Sequence, residues 1–243
     1  MRMYSASGRS RWPIVIGAAV VVVVAVAGGL AYANTRGDDT PTAISSSTST
    51  PTSSPSSVPT GGTSGGGDNE DDAAPTGCLG GQDRDVDMLL TAQKQGVHST
   101  YGAVEVATAF ERWLWQYPSP SVADSNTVSS NVIASTATPA WKGIAAQYKA
   151  AGDNITQGVV TAGTPFHVST TNGIWRVTEG SSADRITVEL AVGYVVNGAL
   201  SPTKVAGIGL VMVWENGSWH VESGTNIDQT KLANGGTRFT GGC

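Results

Sequence analysis

The residues RITVELAVGYVV (185–196), NG (197–198), VAGIGLVMVW (205–214), ENG (215–217) and SWHVE (218–222) decide the fold. In the first run Ile186, Val188, Leu190, Val192, Tyr194 and Val196 alternate onto one face, the two-residue period of a strand. Glu189 alternates to the other side and is expected to face solvent. In the second run Ile208, Leu210, Met212 and Trp214 share a face, and Trp219 and Val221 follow in the return. Asn197-Gly198 and Asn216-Gly217 are two-residue hairpin signals, because such turns need positive φ at both central positions. An antiparallel meander follows. Everything after Ile155 reads as β, with Val159–Val160, Phe166–Val168 and Ile174–Val177 as shorter strands. Thr225 to Cys243 reads as mostly irregular.

Upstream the period changes. Asp85 to Gln95 predicts a short helix with Val86, Leu89, Leu90 and Gln93 inward, stopped by Gly96. Gly102 to Tyr117 predicts the clearest helix, with Val106, Phe110, Trp113, Leu114 and Tyr117 at spacings of three and four. Pro118 and Pro120 end it. Glu105, Glu111 and Arg112 are assigned to its solvated face. Residues 121–137 are Ser/Thr/Asn-rich and indeterminate. Thr138-Pro139 is an N-cap followed by proline at the first helical position. Trp141, Ile144, Ala145 and Tyr148 form the stripe of that helix, and Gly152 closes it. Helices first, then a meander, is an α+β order. A strongly curved sheet wrapped over a helix would bury the tryptophans, with Gly207 and Gly209 as bend points.

The 243-residue chain is segmented. Residues 1–12 form a basic tail with Arg2, Arg9 and Arg11. Residues 13–33 contain an uncharged run from Ile14 to Ala33, about the 20 residues that cross roughly 30 Å of hydrocarbon. Trp12 and Tyr32 flank it, and Asp38 and Asp39 follow. The charge asymmetry predicts an inside N-terminus and a domain outside. Ala31-Tyr32-Ala33 also matches a signal-peptidase site, which keeps a cleaved leader as the alternative. Residues 34–77 form a Ser/Thr/Pro/Gly linker with an acidic end at Asp68, Glu70, Asp71 and Asp72. No apolar period survives there, so disorder is expected, with a mean span of roughly 35 Å. Residues 78–243 remain as one extracytoplasmic α+β domain.

The net charge is −5, and residues 78–243 hold 10 basic and 13 acidic side chains without a basic cluster. Nucleic-acid binding by the domain is not expected, since it needs a basic footprint. Cys78 and Cys243 are the two cysteines. Outside the cytoplasm such a pair oxidises, which predicts one bridge between the ends of the domain. His98, His167 and His220 occur singly, without metal-ligand spacing. No nucleophile elbow and no phosphate-cradling glycine loop appears. The sequence therefore implies no metal, no cofactor and no enzyme.

The segment WENGSWHV (214–221) resembles the terminal hairpin of the cystatin-like cone, the nuclear transport factor two-like fold. A long helix, a second helix and long hairpins are similar to that fold's order. TcpC-like conjugation proteins and Mce-associated proteins carry such domains behind one transmembrane helix. GCLGG (77–81), GAVE (102–105) and Arg112-Trp113 are similar to actinobacterial single-pass membrane proteins of unknown function. The resemblance spans about residues 100–223, and the terminal cysteines depart from it. It implies an envelope scaffold in a conjugative or type IV secretion-like apparatus, held to the membrane by residues 13–33 and binding other envelope proteins, with self-association left open. Its alternatives are a small-ligand or lipid-binding module and a cone-fold enzyme. Enzymes of that fold use a His/Asp or Tyr/Asp pair in the cone, for which His167, Tyr194, Asp184 and Glu189 are the candidates here. Glu189 is discounted because its side of the strand is expected to be wet.

Overall fold

A computed structural model describes residues 72–243. The expected tail, membrane span and linker up to Asp71 lie outside the described residues. Among those described, no helix is long and apolar enough to cross a membrane.

Helices come first and carry their own start signals. α1 (Val86–Gln95) is capped by Asp85, whose carboxylate accepts from the Met88 amide. α2 (Thr100–Leu114) is capped by Ser99, whose hydroxyl accepts from Gly102. α3 (Val122–Asn131) is capped by Ser121, which accepts from the Asp124 amide and donates to the Asp124 carboxylate. Each hydroxyl or carboxylate satisfies an amide that the helix itself leaves free. The short β1 (Gln116–Tyr117) lies between α2 and α3. α3 occupies part of the stretch that periodicity leaves indeterminate. Its apolar content is low, and Ser125 and Val128 are its buried residues. The next predicted helix is broken by Gly143 into α4 (Pro139–Lys142) and α5 (Ile144–Ala151).

The sheet is antiparallel, in the order β1, β2 (Phe166–Val177), β3 (Arg185–Val196), β4 (Ala199–Glu215), β5 (Ser218–Thr225). It curls into a half-barrel packed by the helices. The two Asn-Gly pairs are the hairpin turns, with Asn216 at φ 52° and Gly217 at φ 82°. α2 lies in the concavity against β2, β3, β4 and β5. There Phe110 and Trp113 join Leu190, Leu210, Met212 and Trp219 in one core. The free side of β5 is blunted by a parallel bridge from Ile133 to Val221. Val221 accepts from the Ala134 amide and donates to the Val132 carbonyl, which protects an edge that otherwise invites aggregation.

Three expectations need correction. Phe166–Val168 and Ile174–Val177 are one strand, with a register shift between Ser169 and Ile174. Val159 and Val160 are not strand. They sit in the long connection from α5 to β2, where Val160 is buried as a plug. The tail after Thr225 contains α6 (Gln229–Gly235) and β6 (Thr237–Arg238), and β6 pairs with β2. Besides the bend expected of them, Gly207 and Gly209 allow close approach: a Cβ at Gly209 would lie 2.6 Å from the Thr225 carbonyl oxygen, and one at Gly207 2.9 Å from the Ile227 side chain.

Gly102 is a similar constraint at the start of α2. A Cβ there would lie 2.0 Å from the Val97 carbonyl oxygen, a backbone atom that cannot swing away. Gly102→Ala is expected to cost about 2 kcal/mol or more, the scale of a strained small-to-large change. The midpoint of urea unfolding reads it, and a midpoint equal to that of the parent protein would contradict the packing described.

Candidate functional site

α2 is buried on nearly every side. Glu105, Glu111 and Arg112, expected in solvent, are all buried. The reason is a segment that periodicity cannot see. Residues 74–83 lie across the polar face of α2 as a strap. The Glu105 carboxylate accepts from the Thr76 amide (2.5 Å), the Thr76 hydroxyl (2.9 Å) and the Gly77 amide (3.1 Å). Seven residues on, two turns along the same face, Arg112 donates to the Gly81 carbonyl (2.8 Å), the Asp83 carbonyl (3.1 Å) and the Gly77 carbonyl (3.4 Å). The anion gathers amides and the cation gathers carbonyls, so a strap without regular structure still has its backbone groups paired. Burial, with the charge of Arg84, pulls the Arg112 guanidinium down to about 10.

The strap is stapled as well. Cys78 and Cys243 form a disulfide with Cα atoms 5.6 Å apart. Cys243 exchanges two hydrogen bonds with Thr170 on β2: its amide donates to the Thr170 hydroxyl and its carbonyl accepts from the Thr170 amide. The Thr240 amide donates to the Pro75 carbonyl. The two ends of the described chain therefore run together over β2.

Glu189 also needs correction. Its position opposite Leu190 is as the alternation requires, but that face is not wet. Arg176, its register partner on β2, reaches it at 2.8 Å, and the Asp228 amide at the start of α6 donates to it at 2.9 Å. A helix formed by the tail covers the pair.

The three pocket candidates do not converge. Tyr194 is fully buried and pairs in register with Val168, while His167 pairs with Val195. Adjacent residues of a strand point to opposite faces, so the imidazole and the phenol lie on different sides of the sheet. Asp184 lies at the opposite end of β3. It is 71% exposed and bonded to His98 at 2.8 Å, with His98 stacked on Trp214. Burial, then Arg84 and Arg112, lowers the His167 pKa, so the ring is neutral at pH 7. Among the described residues no three His, Cys, Asp or Glu side chains gather as a metal group would need.

Glu111 is the ionisable group that sequence reasoning misplaced furthest. It is completely buried, neither carboxyl oxygen has a hydrogen-bond partner, and burial holds its pKa well above the carboxylate range. The Tyr194 hydroxyl, also without a partner, lies within its electrostatic reach. The folded protein thus keeps Glu111 protonated at pH values where the unfolded chain ionises it. In that window the unfolded state binds fewer protons, so stability falls as pH rises from the ordinary glutamate range towards the raised value. Glu111→Met is expected to stabilise the domain by about 2 kcal/mol near pH 8, where an unpartnered polar group is removed. The gain should shrink towards pH 4. Chemical denaturation at both pH values checks this, and a pH-independent difference would contradict it.

Two cavities open at the end of the molecule where α1 and α3 begin. The first, of about 370 Å³, is walled by Asp83, Arg84, Asp85, Trp113, Gln116 and the 118–124 segment. The second, of about 510 Å³, lies between α3 and α5 and is more apolar, with Val122, Ala145, Ala146 and Tyr148 in its wall. Ser119 and Pro120 border both. The sequence marks this place only by Pro118-Ser-Pro120, which follows α2. Compared with protein-family models, curated proteins and solved structures, the chain matches none.

Proposed function

We propose that the chain is a membrane-anchored, extracytoplasmic interaction protein, a non-catalytic scaffold of an envelope-spanning transfer apparatus of the conjugative or type IV secretion-like class. The observation that carries the extracytoplasmic part is the disulfide between Cys78 and Cys243. Such a bond persists in oxidising compartments and is rare where thiols are kept reduced. The apolar run Ile14 to Ala33 and the linker after it supply an anchor and a tether. The strap stands where that tether joins the domain, held by Glu105, Arg112 and the disulfide. The helix-packed, curled sheet is compatible with a cystatin-like cone. The scaffold reading is supported by the dispersal of His167, Tyr194 and Asp184, which form no acid/base pair.

The test is genetic. In the cell that carries the gene, deleting it should lower DNA transfer between cells at least tenfold. The full chain should restore transfer, and a form lacking residues 1–33 should not. Transfer at parental frequency in the deletion strain would contradict the reading.

A further inference from the structure

His220 is a buried residue of β5, and its ring lies between two groups that pin the segment covering the β5 edge. That cover is residues 132–134, whose Val132 carbonyl and Ala134 amide bond to Val221, the next residue along β5. The first pin is Gln93 of α1. Its amide nitrogen lies 3.0 Å from the Asn131 carbonyl, 3.0 Å from the Trp219 carbonyl and 3.3 Å from His220 Nδ1. The second pin is Glu215, at the end of β4. Its carboxylate accepts from the Ser135 amide at 2.8 Å and from the Ser135 hydroxyl at 3.0 Å, and its Oε1 lies 3.8 Å from the same Nδ1. Asn131 and Ser135 stand on either side of the cover. One ring nitrogen therefore faces both pins.

The donor and acceptor inventory sets the resting state of the ring. Two carbonyls fix the Gln93 amide with its nitrogen inward, and an amide nitrogen only donates. Nδ1 thus turns its lone pair to Gln93, and Nε2–H donates to the Ser218 hydroxyl at 2.9 Å. This arrangement needs a neutral imidazole. Burial favours the same form and lowers the His220 pKa, against the opposing pull of the Glu215 charge and backbone.

A proton on Nδ1 reverses its role. It then meets the Gln93 amide as donor against donor, and the ring charge attracts Glu215. A separation of 3.8 Å is too long for a hydrogen bond but short enough for a charge to act. Both changes work in one direction: Gln93 loses an acceptor, and Glu215 is drawn away from Ser135. The other charged groups nearby have their own engagements. Lys142 of α4 donates to the Ser135 carbonyl, and Glu222 of β5 accepts from the Thr136 hydroxyl and from Arg185 of β3. α1 and α3 present the uncharged Gln93 and Asn131.

We propose that His220 is a proton-operated latch on the β5 edge: protonation turns the ring from Gln93 to Glu215, loosens both pins and lifts residues 132–134 from Val221. The edge is shielded at neutral pH and bared in acid. The closed state disfavours the proton, so its advantage is complete above the ordinary histidine value and is lost as pH falls from there towards the lowered one. The latch does not depend on the transfer-apparatus reading.

The experiment follows hydrogen exchange in the full chain in lipid nanodiscs, at about pH 7.5 and about pH 5.5, which bracket the ordinary histidine value. Rates are corrected for intrinsic exchange. Peptides spanning 131–136 and 218–223 should open about threefold or more often in acid, while a peptide spanning 186–192 of β3 stays constant. His98 and His167 are imidazoles too, so the response is located by substitution. His220→Asn, whose side-chain oxygen still accepts from Gln93, should abolish it, and His220→Gln is the second uncharged variant. Whichever keeps parental protection at neutral pH gives the comparison; if neither folds, the contrast with β3 in the parent decides. Three results overturn the proposal: no acid response at 131–136 and 218–223, an equal response in β3, or a response that survives in an uncharged variant.

Discussion

Breaking the Cys78–Cys243 bond lowers the stability of the domain by about 5 kcal/mol on the chain-entropy account. The bond spans 165 positions, and a cross-link removes more freedom from the unfolded chain the longer the loop it closes. The ends it joins are held otherwise by side-chain bonds to Glu105, Arg112 and Thr170 and not by a long regular element. β6 is two residues long, and the strap has no regular structure of its own. The Cys78→Ser/Cys243→Ser double variant, unfolded in urea beside the oxidised parent, reads the loss. Because the effect acts on the unfolded state, the folded sheet of the variant should keep its far-ultraviolet circular dichroism signal before the transition. Equal unfolding midpoints for the two proteins would contradict the account.

Replacing Glu105 is expected to have the second largest effect. Glu105→Ala deletes the acceptor for the Thr76 and Gly77 amides, of which the Gly77 amide is buried. Hydrogen bonds to a charged group contribute about 1.5–3 kcal/mol each, and an amide left buried without a partner adds a penalty. A loss of about 4 kcal/mol follows from two such bonds. Glu105→Gln keeps one acceptor oxygen and should lose about half as much. Glu105 and the disulfide hold the same strap, so the combined variant should lose less than the sum. Strict additivity, measured in the same denaturation series, would mean that the strap is not one cooperative unit.

The sheet was legible because each strand signal is local. Residues 185–196 form the strand that their alternation prescribes, and the two Asn-Gly pairs turn where the chemistry of positive φ requires. α1 and α2 were legible within a few residues, since caps and three-to-four spacing are also local. What was not legible is what covers a face. A polar residue on an amphipathic helix reads as solvated unless something lies over it, and what lies over Glu105 and Arg112 is a segment without periodicity, 26–35 positions earlier in the chain. The clue was present in their spacing: opposite charges seven apart on one face of a largely apolar helix can each hold a backbone. Glu189 failed for the same reason, because α6 forms in a tail of weak helical pattern. Glu111 had no clue, since nothing in sequence separates a carboxyl that meets solvent from one that is enclosed and protonated. The trio of His167, Tyr194 and Asp184 came from resemblance, and strand alternation alone could have separated His167 from Tyr194 once the register was known.

The most direct test of the whole account is the redox state of the two cysteines in living cells. Cells expressing the full chain are quenched in acid, and their thiols are blocked with a maleimide that adds visible mass on a gel. The account predicts an unshifted band, which gains the mass of two labels only after prior reduction. Two labels on the unreduced protein would place the domain on the reducing side of the membrane and contradict both the Cys78–Cys243 disulfide and the extracytoplasmic assignment.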